Sequence, residues 1–362
     1  MCRAHRTLKR FVPLLLALFT LALLFTNAKV TADGVRHGLS LCFETLFPSL
    51  FPFLILSAFL VKSESGILLG RSLGKPLRWV LGLSEAGATA LLLGMLCGFP
   101  VGTAAAAAYA ERGELSREEL NRLALFVNNP SAGFLIGAVG SSLFGNEQVG
   151  IALFLITWTS SLVVGIFLRI LYGKLQQTAD KPPYGIKKSS LMAMLTDSIG
   201  GAFSSLLRIF SFVIFFSCIT EGLSAGFVEH QASAWVGTWL TGLLEMTGGI
   251  YRAVGTLPPQ NALRITAFFV GFSGLSICFQ LFSIVEKQPL RLPPYLLAKS
   301  AQGGLCLLLT ELYLRFARPV LAVTQSTVTL LHCDTQRLIT SSTILFCVLL
   351  IPFGLLFRGR RS

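Results

Sequence analysis

The apolar run from Leu123 to Phe144 is cut by Val127–Gly133, which reads Val-Asn-Asn-Pro-Ser-Ala-Gly. Upstream, Ser116-Arg117-Glu118-Glu119 has the form of a capping box, so a helix is predicted to start at Arg117. Leu120, Leu123, Ala124 and Val127 fall on one face of that helix. Pro130 cannot continue it and restricts Asn129 before it, so the helix is predicted to stop near Asn128. Proline suits the first position of a new helix, with Asn129 as its N-cap. The pattern reads as a broken helix carrying Asn128, Asn129 and Ser131 at the break; the competing reading is a surface loop between two ordinary helices. A bilayer core tolerates freed backbone only where protein or a water-filled cavity satisfies it. The second half-helix would aim a positive N-terminus into that cavity.

The membrane setting comes from composition. With 53% hydrophobic and 13% charged residues and a mean hydropathy of +0.70, the chain reads as an all-α polytopic protein of the cell membrane, partnered by the lipid bilayer. The net charge of +13 resides in short loops and termini, so it speaks of orientation rather than nucleic acid. The eight cysteines lack a CxxC pair and the four histidines lie far apart, so no disulfide framework, metal site or cofactor is expected. Hydrolase, metalloprotease and nucleotide-binding signatures are absent, and no enzyme activity is expected.

Residues 1–30 carry a basic start and the apolar run Phe11–Phe25, the form of a signal anchor or a cleavable signal peptide, with the N-terminus cytoplasmic. Leu39–Val61 crosses back, and a basic loop from Lys62 to Glu85 follows. Ala88–Ala110 is interrupted at Gly98-Phe99-Pro100 and is flanked by Gly94 and Gly102, a face that lets backbones touch. Ala124–Phe144 and Ile151–Tyr172 lead to a second basic loop, Gly173–Ser190. Both basic loops stay cytoplasmic only if one of the three segments between them turns back, and the broken Ala88–Ala110 is the predicted re-entrant hairpin. Beyond the repeats, a basic loop Glu286–Lys299 precedes spans Ser300–Phe316 and Leu338–Phe357.

Three apolar blocks recur in order at shrinking intervals, pairing Phe51 with Phe210, Gly98 with Gly249 and Val127 with Val270. The copies, 39–172 and 191–285, are separated by the loop 173–190, run in opposite senses and are followed by C-terminal helices at 286–362. That is the plan of many secondary transporters. In the second copy Gly271-Phe272-Ser273-Gly274 stands where the first has its break, and Glu245 is an intramembrane carboxylate followed by Thr247. Glu245 reads either as a site residue or as a solvated carboxylate at a hairpin lip. Arg208 and Glu311 also lie in apolar runs, and Arg208 reads either as snorkelling to an interface or as a partner for Glu311 or a solute carboxylate.

Leu46–Phe53, Gly94–Gly102, Phe126–Pro130 and Glu245–Gly249, in this order and spacing, resemble the sporulation integral membrane protein YlbJ family over Leu39–Val285. The resemblance implies "nucleoside recognition" Gate repeats, similar to parts of concentrative nucleoside transporters and spore maturation proteins. It also implies a role in endospore formation, moving dipicolinic acid across the mother-cell-derived membrane around the forespore. On the combined reading, Asn128, Asn129, Ser131 and Gly98 form one half of a substrate site, and Thr247, Ser273 and Gly274 the other. Glu245 would serve as the proton- or cation-coupling group. A nucleoside transporter and a structural or assembly protein of the spore envelope are the alternatives, and oligomerisation is left open. The topology is checked by a cysteine placed at Lys187 in intact cells: an impermeant thiol reagent is expected to leave it unlabelled, and ready labelling would overturn the re-entrant assignment and the inversion.

Overall fold

A computed structural model describes residues 28–173, 190–224, 231–285 and 290–317, with a few isolated positions between 17 and 25. The N-terminal leader, the loop 174–189 and the predicted span Leu338–Phe357 lie wholly or largely outside them. The described residues are helices and connecting turns, with no strand among them. Helix α1 covers Ala28–Lys62; its stretch Leu41–Leu46 winds as a π-helix and Pro52 sits inside it without ending it. Short helices α2 (Glu64–Ser72) and α3 (Lys75–Leu81) lead into α4 (Glu85–Cys97) and α5 (Val101–Glu111). Then come α6 (Arg117–Ala124), the π-helical α7 (Gly133–Leu143) and α8 (Glu147–Tyr172). The second half runs through α9 (Leu191–Ser224), α10 (Gln231–Leu244), α11 (Met246–Thr256), α12 (Pro259–Phe272), α13 (Gly274–Ile284) and α14 (Leu292–Ala317).

Among the described residues, four stretches are long and apolar enough to cross a membrane: α1, α8, Leu191–Leu223 and the α12–α13 run Pro259–Ile284. The chain is an all-α polytopic membrane protein. The broken segment Ala88–Ala110 is the helical hairpin α4–α5, turning at Gly98-Phe99-Pro100. Its legs of 13 and 11 residues are about 20 and 17 Å long, each short of a bilayer core. They touch backbone to backbone, since a Cβ built on Gly94 would lie 2.8 Å from the Gly102 Cα. A second hairpin, α10–α11, turns at Glu245, and there a Cβ on Gly249 would lie 2.1 Å from the Gly242 Cα. Each hairpin is followed by a broken helix, α6–α7 in one half and α12–α13 in the other. The first hairpin turns at Gly98 and the second at Glu245, four residues before Gly249.

Helix α6 starts at Arg117 as its capping box predicts, with the Glu119 N–H donating to Ser116 Oγ at 3.1 Å. The other half of the box is not made. Instead the buried Glu119 carboxylate accepts from the N–H and Oγ of Ser84, at 2.7 and 3.0 Å, and Ser84 is itself the N-cap of α4. Burial raises the Glu119 pKa, against the two Ser84 bonds that lower it. One carboxylate thus ties the start of the broken helix to the start of the hairpin.

Two apolar cores flank the middle of the molecule. One draws mainly on α1, α4, α5, α6 and α9 and the other mainly on α7, α8, α11 and α12, while α8, α13 and α14 give residues to both. The hairpin contacts make a direct prediction: Gly249→Val should lower the thermal unfolding midpoint in detergent, with overpacking worth about 1–3 kcal/mol. Gly255→Ala, where a Cβ meets nothing within 4 Å, should leave it unchanged. Equal midpoints for the two variants would show that the α10–α11 contact contributes nothing.

Candidate functional site

The first break is longer than the sequence suggests. Helix α6 ends at Ala124 rather than near Asn128, residues 128–131 are non-helical, and α7 begins at Gly133. Pro130 is therefore not the first residue of a new helix, and Asn129 is not its N-cap. That role falls to Ser131, whose Oγ accepts from the Phe134 N–H at 3.2 Å and whose carbonyl accepts from the Leu135 N–H at 3.0 Å. The physical reason is that both carboxamides are used across helices. Asn128 Nδ2 donates to Thr103 Oγ1 of α5 at 2.7 Å. Asn129 Nδ2 donates to Ser161 Oγ of α8 at 3.1 Å, and its Oδ1 accepts from Gln302 Nε2 of α14 at 2.6 Å. Gly98, with φ of 85°, lays the tip of the first hairpin on this break: a Cβ there would stand 2.7 Å from the Ser131 nitrogen.

The residue that sequence reasoning missed is Lys299. The sequence puts it at the end of the basic loop Glu286–Lys299, but α14 begins at Leu292 and carries Lys299 two turns inside. Its Nζ donates to the Asn128 carbonyl at 2.9 Å and to Gln302 Oε1 at 2.7 Å. Asn128, Asn129, Lys299 and Gln302 are all 0% exposed. The signal was present: Pro293-Pro294 suits the first turn of a helix, which puts Lys299 and Gln302 on one face at i and i+3.

The second break is shorter and strained. Ser273 has φ of 76° and is the one non-glycine residue with positive φ among the described residues; Gly274 follows at 78°. A serine held there costs about 1 kcal/mol or more, the kind of outlier that gathers at functional sites. Ser273 stands at the N-cap position of α13 but makes no side-chain capping bond. Its N–H donates to the Phe269 carbonyl at 2.7 Å, closing α12, and its buried Oγ has no partner among the described residues. The tip of the second hairpin lies on this break as well: a Cβ on Gly274 would meet the Met246 nitrogen at 3.1 Å and the Gly242 carbonyl oxygen at 3.4 Å.

Glu245 is the N-cap of α11, only 2% exposed, so it is not a solvated carboxylate at a lip. Its oxygens accept from the N–H groups of Thr247 at 3.0 Å and Gly248 at 2.6 Å. Arg208 is exposed on α9, and Glu311 pairs instead with Arg264 at 2.8 Å and Arg315 at 3.1 Å, so the Arg208–Glu311 pair is not formed.

A single helix joins the halves. Lys299 and Gln302 of α14 hold the first break, and the adjacent Gly303 packs backbone to backbone on Gly271, two residues before Ser273: a Cβ on Gly271 would lie 2.7 Å from the Gly303 Cα. The structure therefore gathers Asn128, Asn129, Ser131 and Gly98 at one break, and Glu245, Thr247, Ser273 and Gly274 at the other. Both are fastened to α14.

The chain is similar to the sporulation integral membrane protein YlbJ of Bacillus subtilis strain 168, with 28% identity over 319 residues, 79% of this chain and 78% of that protein. The similarity supports the YlbJ family expected from the motifs, and with it a membrane role in sporulation. No family model matches the chain, and no solved structure matches it.

Removing the Asn129 carboxamide should expose the energetic weight of the first break. Asn129→Ala leaves the Gln302 amide buried without its acceptor, a cost of about 1–3 kcal/mol. A fall in unfolding midpoint of the purified protein checks it, and an unchanged midpoint would show that the break is held by packing alone.

Proposed function

We propose that the chain, similar to YlbJ, transports a small organic solute during endospore formation, dipicolinic acid being the solute the resemblance implies. The observation that carries this reading is the repeated meeting of a hairpin tip with a helix break, with a buried polar atom at each that has no partner among the described residues. At the first break that atom is Asn128 Oδ1; at the second it is Ser273 Oγ, with Thr241 Oγ1 a turn before the tip. Buried polar atoms are nearly always satisfied, so atoms left open beside broken helices are offered to water or solute. Discontinuous helices between inverted repeats are where secondary transporters bind their cargo, and the inversion of 39–172 against 191–285 belongs to this reading. The site residues are closed off from solvent, so solute reaches them when a hairpin parts from its break. The membrane served would be the mother-cell-derived one around the forespore.

In the same reading Glu245 couples transport to a proton or cation. Its carboxylate holds the first turn of α11 through two N–H bonds, so a proton or cation arriving there would compete with the cap at the hairpin tip. Purified protein in proteoliposomes is expected to take up dipicolinate. Nucleoside uptake in its place would turn the reading to a nucleoside transporter, and uptake of neither would turn it to an envelope assembly role. Glu245→Gln keeps size and most hydrogen bonding while removing the charge. Dipicolinate uptake should then fall strongly and lose its pH or cation dependence at equal membrane abundance; undiminished uptake would remove Glu245 from the mechanism.

A further inference from the structure

The first break holds a buried lysine for which the described residues supply no negative partner. Lys299 is 0% exposed, and both groups its ammonium meets are neutral, the Asn128 carbonyl and the Gln302 amide oxygen. Among the described residues no carboxylate pairs with it. Glu311, on the same helix, stands twelve residues away, about 18 Å along the axis, and is engaged by Arg264 and Arg315. Both Glu245 oxygens are taken up by the N–H groups of α11. Withdrawing an ammonium from water costs several kcal/mol, and neutral acceptors offset only part of it. An ammonium has three N–H donors and two are used, which leaves one free. Beside it, Asn128 Oδ1 is buried without a partner among the described residues.

We infer that Lys299 is the anion-recognition group of this site, its ammonium pairing with one carboxylate of the solute at the Asn128–Asn129 break. The inference rests on the transport reading for the idea that solute reaches the break, and it adds the residue that selects the solute's charge. A lysine suits this task better than an arginine would: it is a compact point charge on a flexible stem and can turn from the Asn128 carbonyl to a carboxylate without rebuilding a planar fork. Gln302, bonded at once to Lys299 and Asn129, would pass the change to the broken helix.

The test is calorimetric titration of the detergent-purified full chain with pyridine-2,6-dicarboxylate and with its neutral diamide, followed by uptake of both into proteoliposomes. Wild type should bind the dicarboxylate at least tenfold more tightly than the diamide, the scale of one charged hydrogen bond. Lys299→Gln keeps a hydrogen-bond donor on a similar stem but carries no charge; it should erase that preference and leave diamide binding within about threefold, well under one such bond. Equal losses for both ligands, or no loss for either, would make Lys299 a tether for the break and overturn the inference. Should the variant fail to accumulate, the wild-type comparison decides alone, since a diamide that binds as well as the dicarboxylate overturns the inference. Lys299-dependent binding without uptake would sustain this inference and overturn the transport reading. Uptake that ignores solute charge would do the reverse.

Discussion

The described fold depends on how two interrupted helices satisfy their own backbone inside an apolar protein. Where the chain leaves the helix at Asn128–Ser131, carbonyl and N–H groups lose their partners, and hydrocarbon offers no replacement. The replacements come from distant elements. Lys299 takes the Asn128 carbonyl, the Asn129 carboxamide takes the Phe126 carbonyl, and Ser161 takes the same carbonyl at 2.7 Å. Gln302 then locks Asn129 in place. Such a network is worth most where the dielectric is low, and leaving it half-made is most costly there.

Close backbone approach is the second condition. Hairpins of two helices separated by one or three residues can form only where glycines face each other, as Gly94 faces Gly102 and Gly242 faces Gly249. Apolar side chains between membrane helices gain little from burial against lipid, so small residues and polar bridges do the holding. The Trp158 indole bond to the Met95 carbonyl, 3.0 Å long, is such a bridge between α8 and the first hairpin.

Much of this was legible in the sequence. The helix start at Ser116, the hairpin turn at Gly98-Phe99-Pro100 and the presence of interruptions near Asn128 and Ser273 all have local causes, and the structure shows each of them. What local rules missed was set by tertiary partners. Asn129 would make a good N-cap, yet Ser161 and Gln302 compete for its carboxamide and win, and the cap passes to Ser131. A lysine near prolines looks like a loop residue, and the bond that draws Lys299 inside, to the Asn128 carbonyl, comes from 171 positions away. Nothing local in Gly271-Phe272-Ser273-Gly274 announces that the serine takes the left-handed backbone, which the structure shows where α12 ends beside the second hairpin tip.

The fastening of both breaks to α14 has a mechanical consequence. Gln302 and Gly303 are neighbours in sequence, about 100° apart around the helix, and one grips Asn129 while the other slides on Gly271. A turn of α14 large enough to release the first grip drags the second contact along its track. The two halves of the molecule therefore share one axle, and neither break can be re-seated while the other stands still.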